Sequence, residues 1–111
     1  MAKVVKHRPL LKEFWSWGQQ EIRKLSKMRY EELLLLPEEA EIDGPYIHPD
    51  VKYFVRRKLY DEPGIPIGTV EVFVCVEIYG NGKFLMSSCP SVEMTPRGRI
   101  LDPMRGWDRR D

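Results

Sequence analysis

The stretch "VEVFVCVEIYGNGKF", residues 70–84, decides the fold because it alternates regularly and then turns. One parity is aliphatic: Val70, Val72, Val74, Val76 and Ile78. The other parity mixes acids, rings and a thiol: Glu71, Phe73, Cys75, Glu77 and Tyr79. Alternation at period two predicts a half-buried β-strand. The following Gly80-Asn81-Gly82 predicts a hairpin, because these residues tolerate positive φ.

The preceding stretch "VKYFVRRKLY", residues 51–60, also alternates and predicts the antiparallel neighbour of this strand. With Leu59 opposite Val70, Lys58 lies opposite Glu71 and Lys52 lies opposite Glu77. Cross-strand pairs of opposite charge stabilise a sheet. We therefore expect both glutamates to be solvated, neutralised by lysines and without a catalytic role. They are six residues apart, about 20 Å along a strand, which is too far for a glycosidase acid/base pair.

The strand after the hairpin has two alternative registers. A two-residue loop would turn Leu85, Ser87, Cys89 and Ser91 towards the core. A three-residue loop would instead bury Phe84, Met86, Ser88, Val92 and Met94. We predict the three-residue loop because it buries more apolar surface, and a slip of one residue exchanges the faces. Pro90 in "SSCPS" predicts a bulge or an edge position.

The first third of the chain is predicted to be helical. Apolar residues recur at helical spacing between Pro9 and Met28, and a short second helix over residues 30–36 ends before Pro37. The predicted fold is α+β: an N-terminal amphipathic helix and a short second helix packed on a three- to four-stranded antiparallel meander. We expect one domain, residues 1–111. Its parts are a helical segment 9–36, an acidic connector 37–50, a sheet 51–102 and a tail 103–111.

Composition predicts a globular cytoplasmic protein. The chain has 111 residues, 42% of them hydrophobic, and a net charge of +1. Its N-terminus does not resemble a secretory signal, and no apolar run approaches the roughly 20 residues of a membrane span. Reduced thiols are therefore expected at Cys75 and Cys89. The spacing of His7 and His48 fits no metal site, so neither a metal nor a cofactor is predicted.

Charge is segregated along the chain. Residues 1–29 hold eight Lys or Arg against two acids, whereas residues 30–50 hold seven acids and no base. An acidic surface attracts a basic partner and speeds its encounter. We therefore predict a non-enzymatic protein-binding domain, such as an inhibitor, immunity-type protein or adaptor. Its expected contact residues are Glu31, Glu32, Glu38, Glu39, Glu41, Asp43 and Asp50, with Trp107 of the tail.

Two alternative functions remain open at this point. Basic and aromatic residues interleave from Lys52 to Tyr60, and with the arginine-rich tail they would suit a nucleic-acid-binding module. The break at "SSCPS" would suit a small enzyme using Cys89, with His48 as a further candidate. The pattern leaves the partner's identity and the choice between monomer and homodimer undecided.

Overall fold

The computed structural model describes residues 3–101, which form two helices and eight strands. Trp107 and the predicted tail 103–111 lie outside the described residues. The helices are α1 (Leu11–Leu25) and α2 (Tyr30–Leu34). The strands are β1 (Lys3–Val4), β2 (Glu39–Glu41), β3 (Tyr46–Ile47), β4 (Val51–Leu59), β5 (Val70–Gly80), β6 (Lys83–Ser88), β7 (Ser91–Met94) and β8 (Ile100–Leu101).

The main sheet has six strands in the order β2-β4-β5-β7-β8, and β6 also pairs with β5. All of its ladders are antiparallel, while β1 and β3 form a separate parallel pair. The α+β class is confirmed, but the expected three to four strands were too few. One missing strand is β2, which lies within the predicted connector 37–50. The half-buried Ala40 and Ile42 alternate there with glutamates, so the acidic composition concealed a strand pattern.

The register of β4 against β5 agrees with the prediction. Leu59 lies opposite Val70, and the ladder continues without a shift to Val51 opposite Ile78. Lys58 is therefore the partner of Glu71, and Lys52 is the partner of Glu77. The register was predictable from the aliphatic residues of the two strands. Shifting β4 along β5 by two residues would leave some of them unpaired, and shifting it by one residue would turn them to the solvent side.

The hairpin between β5 and β6 differs from the prediction. Its loop has two residues, Asn81 and Gly82, at φ values of 53° and 76°, because Gly80 pairs with Lys83. Positive φ at both positions is what a two-residue hairpin with the sheet's twist requires. The predicted three-residue loop is therefore wrong.

A bulge at Leu85 produces the one-residue shift in register that the predicted three-residue loop would have produced. Tyr79 pairs with Phe84 before it and Ile78 pairs with Met86 after it. Met86 and the following even-numbered residues therefore lie on the core side of the sheet; Ser88, Val92 and Met94 are buried as predicted, but Met86 is 40% exposed. Phe84 was placed on the wrong face: its ring meets Tyr79 edge-on, with 5.9 Å between centroids.

The chain passes Pro90 without any change of register. Ser88 pairs with Val76 and Val92 pairs with Val72, while the Val74 N–H donates to the Pro90 carbonyl at 3.0 Å. The sequence predicted either a bulge or an edge position at "SSCPS". In the described chain no bulge occurs there, and β6 is an edge strand. The ladder is interrupted only because proline has no N–H to donate.

Both helices cover the aliphatic face of the sheet. Helix α1 packs its buried Phe14, Gly18 and Ile22 against this face, and α2 adds the fully buried Leu33. Gly18 is needed for this contact, because a Cβ there would lie 2.7 Å from Cγ of Pro90. Neither helix packs on the opposite face, which carries Glu71 and Glu77 and is called the open face below.

Candidate functional site

The open face combines acids, bases, aromatic rings and both cysteines. Strand registers place its members side by side on β2, β4, β5, β6 and β7, with the residues beyond the paired positions following by alternation. They are Glu39 and Glu41 of β2, Lys52, Phe54, Arg56 and Lys58 of β4, Glu71, Phe73, Cys75, Glu77 and Tyr79 of β5, and Ser87, Cys89, Ser91 and Glu93 of β6, β7 and the residues between them.

A tyrosine stands between each cross-strand lysine and its glutamate. The Lys58 Nζ lies 4.5 Å from the ring centroid of Tyr60, and the Tyr60 hydroxyl donates to Glu71. The ion pairs found within residues 3–101 do not include Lys58 with Glu71. The predicted direct neutralisation of Glu71 is therefore wrong, because the ammonium group lies over the ring while the phenol satisfies the carboxylate.

The same arrangement recurs at the other end of the face. The Lys52 Nζ lies 5.2 Å from the ring centroid of Tyr79, whose hydroxyl donates to Oε1 of Glu77 at 2.7 Å. This hydrogen bond raises the pKa of Tyr79, because a phenol that donates to a carboxylate resists ionisation. In the described chain the Lys52–Glu77 pair is thus also mediated by a ring rather than closed as a salt bridge.

Glu71 is shut away from water, contrary to the prediction that it is solvated. Its residue exposure is 7%. Besides Tyr60, the Ser91 hydroxyl donates to Oε2 of Glu71 at 2.8 Å. Glu93 lies directly opposite on β7. Burial, followed by the hydrogen bond to Glu71, raises the pKa of Tyr60 well above its usual value. Two hydroxyl donors therefore replace the water that a buried carboxylate lacks.

Buried Glu71 is the observation that most favours the enzyme alternative. A carboxylate desolvated beside another carboxylate occurs in acid/base sites as well as in structural networks. His48 does not join it as a base in the arrangement seen here: its Nδ1 accepts the Asp50 N–H at 3.1 Å and closes the turn before β4. No cluster of three or more metal-binding side chains occurs among residues 3–101.

The predicted acidic contact residues are distributed over α2, β2 with its two ends, and the turn before β4. Glu31 and Glu32 lie in the first turn of α2. The pKa of Glu32 is lowered mainly by the hydrogen bond from the backbone N–H of Arg29, and further by the hydrogen bond from the Arg29 side chain. Asp50 lies in the turn before β4, and Glu38 and Asp43 are exposed at the two ends of β2. On the open face, Glu39 lies opposite Arg56 and Glu41 lies opposite Phe54.

A groove of about 360 Å³ follows β2 along the open face. The Arg56 Nη2 contacts Oε1 of Glu39 at 2.9 Å across it, and Phe54 and Tyr79 supply aromatic surface. Three carboxylates face two cations, so the groove carries a net negative charge. Its lining residues are Glu39, Ala40, Glu41, Lys52, Phe54, Arg56, Glu77 and Tyr79. The predicted contact set omitted Glu77, because the segment that forms β2 was expected to be a connector and not a neighbour of β4.

No family model matches this chain, and the searches find neither a similar curated protein nor a similar solved structure. Within residues 3–101, no helix has the length and apolar character needed to cross a membrane. Function must therefore be argued from the site itself.

Proposed function

We propose that this chain is a small, non-enzymatic, cytoplasmic domain that binds a basic segment of a partner protein along β2. An inhibitor, an immunity-type protein or an adaptor would work in this way. The observation that carries the proposal is that Glu39 and Glu41 stand on a strand of the main sheet and not on a loose connector. Their positions are fixed before a partner arrives, which reduces the entropy lost on binding.

The outer edge of β2 is suited to an extended peptide. Hydrogen bonds tie residues 38 and 42 to β4, from the Arg57 N–H to the Glu38 carbonyl and from the Ile42 N–H to the Tyr53 carbonyl. In an antiparallel ladder the residues between such pairs alternate, so the main-chain groups of Glu39 and Glu41 point away from β4. An exposed edge of this kind accepts a further strand from a partner.

The charge of this edge favours a basic partner over a second copy of the chain. Glu38, Glu39, Glu41 and Asp43 are all exposed, and like charges directly opposite one another destabilise strand pairing. A lysine or arginine on the added strand would instead lie beside Glu39 and Glu41, with the ring of Phe54 on the next strand. Carboxylates and aromatic faces together hold a cation more strongly than either group alone.

The nucleic-acid alternative has weaker support. Five glutamates share the open face with its basic residues: Glu39, Glu41, Glu71, Glu77 and Glu93. Arg56 already contacts Glu39, and the two lysines lie over tyrosine rings. Phosphate binding depends on cations that release counterions, and neighbouring carboxylates oppose it.

The experiment compares two charge-matched variants. E39Q/E41Q removes two negative charges from β2, and D61N/E62Q removes two from the exposed loop after β4. Each protein is measured against an immobilised peptide of alternating lysine and valine. Each variant is also used to capture proteins from native lysate for identification by mass spectrometry. Two partly exposed ionic contacts, at about 0.5–1 kcal/mol each, predict a 5- to 30-fold weaker peptide affinity for E39Q/E41Q alone.

Added salt should weaken the binding of the unaltered chain, because the contacts are exposed. Equal affinity for E39Q/E41Q and the unaltered chain would contradict the proposal, as would an equal loss in D61N/E62Q.

A further inference from the structure

The two cysteines lie directly opposite each other on neighbouring strands. Val76 pairs with Ser88, and the Val74 N–H donates to the Pro90 carbonyl. The ladder thus places Cys75 against Cys89, at the interruption that Pro90 causes. The side chains of Cys75 and Cys89 are neighbours, and both thiols are free. The sequence predicted reduced thiols at both positions but did not place them side by side.

The geometry of this position suits a disulfide. Because Val74 and Pro90 form a hydrogen-bonded pair, the adjacent Cys75 and Cys89 occupy a non-hydrogen-bonded position of the ladder. Cα atoms at such positions are about 4.5 Å apart, which is at the short end of the roughly 4.4–6.8 Å range for disulfides. The bond can therefore form with little movement of either strand.

The two thiols differ in accessibility, and this difference assigns their roles. Cys89 is exposed, whereas Cys75 is 2% exposed. Burial and the hydrogen bond with Cys89 raise the pKa of Cys75 to about 12, while the positive charge of Arg56 acts in the opposite direction. An incoming molecule therefore reacts first with Cys89, and Cys75 is the resolving cysteine.

We propose that Cys75 and Cys89 are a reversible redox site that exchanges with low-molecular-weight disulfides such as oxidised glutathione. The thiolate of Cys89 attacks one sulfur of the disulfide, forms a mixed disulfide and releases one glutathione thiolate. The thiolate of Cys75 then attacks Sγ of Cys89 and releases the second glutathione. Two protein thiols are oxidised to one disulfide, one glutathione disulfide is reduced to two thiols, and solvent exchanges the protons.

The exposure of Cys89 makes this site a reversible one. A disulfide that is exposed or strained has a more oxidising potential than a structural one. In a compartment as reducing as the cytoplasm the two thiols stay reduced, and they respond when the proportion of oxidised glutathione rises. The inference is independent of the proposed partner, because it requires neither β2 nor the groove.

The test incubates the folded chain in glutathione buffers of increasing oxidised fraction. Remaining thiols are blocked with N-ethylmaleimide under denaturing conditions, and intact mass and disulfide-linked peptides are measured. The unaltered chain should lose two hydrogens, bind no glutathione, stay monomeric on a non-reducing gel and yield a peptide pair joining Cys75 to Cys89. Dithiothreitol should reverse the change.

Two single variants serve as controls. C75S should retain one glutathione on Cys89, because the resolving thiol is missing. C89S should remain unmodified while folded, because Cys75 is buried. Accumulation of the mixed disulfide in the unaltered chain, a disulfide between two chains, or no oxidation at all would overturn the proposal. The peptide pair from the unaltered chain decides the question even if a variant fails to fold.

Discussion

Replacing Tyr60 by phenylalanine tests the claim that two hydroxyl groups compensate for the burial of Glu71. Y60F removes one of two hydroxyl donors that residues 3–101 supply to a carboxylate whose residue is 7% exposed, and leaves the 2.8 Å hydrogen bond from Ser91. Hydrogen bonds to charged groups contribute about 1.5–3 kcal/mol, and a buried acceptor that loses its donor cannot recover that energy from water. We expect Y60F to lower the free energy of unfolding by about 1.5–3 kcal/mol.

Tyr79 provides a matched control. Y79F removes the same hydroxyl from the same residue type beside Glu77, which is only half-buried and can be rehydrated. We expect Y79F to lower the free energy of unfolding by less than about 1 kcal/mol.

The assay is urea unfolding, in which a lower midpoint at an unchanged slope reports stability alone. Repeating Y60F in an E71Q background should reduce its effect to about 0.5–1.5 kcal/mol, because the acceptor is then neutral. The reasoning is refuted if Y60F is no more destabilising than Y79F, or if its effect is unchanged in E71Q.

Three further predictions follow from other contacts. The raised pKa of Tyr60 favours the folded state fully below about pH 10, the usual tyrosine value, and this contribution is lost as pH rises through the folded-state pKa. Urea midpoints should therefore fall above pH 10, less steeply in Y60F. G18A should destabilise the fold by about 1–3 kcal/mol in urea, despite its better helix propensity, because its Cβ would lie 2.7 Å from Pro90; no loss would show that α1 shifts freely. An RNA column at physiological salt should not retain the unaltered chain, and R56E/K58E should elute at the same volume. If the unaltered chain is retained in a salt-dependent way and R56E/K58E is not, the nucleic-acid alternative is supported.

Part of the sheet was predictable because its pattern is local. The aliphatic residues of β4 and β5 must coincide if they are to be buried together, so one alignment fixes the pair Lys58–Glu71. The burial of Glu71 was not predictable from that alignment. It depends on Tyr60, which follows the end of β4, and on Ser91 of β7, the strand next to β5.

The hairpin and the acidic segment show two other limits. Apolar burial correctly favoured Val92 and Met94 on the core face, whereas Met86 is 40% exposed. One extra residue can be accommodated either in the loop or in a bulge, and apolar burial does not distinguish these two structures. In the acidic segment, glutamates are poor strand formers and outweighed the weak alternation around Ala40. The pairing of Cys75 with Cys89 followed from neither residue alone, because it needed a register that continues through Pro90.

Amide hydrogen exchange of β2 in the presence of the alternating lysine–valine peptide addresses the proposed binding mode most directly. The N–H groups of Glu39 and Glu41 point outward, whereas the Ile42 N–H already donates to β4. Saturation with the peptide should slow exchange at Glu39 and Glu41 far more than at Ile42, and E39Q/E41Q should need more peptide for the same protection. Unchanged exchange at Glu39 and Glu41 under saturation, or protection confined to another surface, would show that a basic segment does not bind along β2.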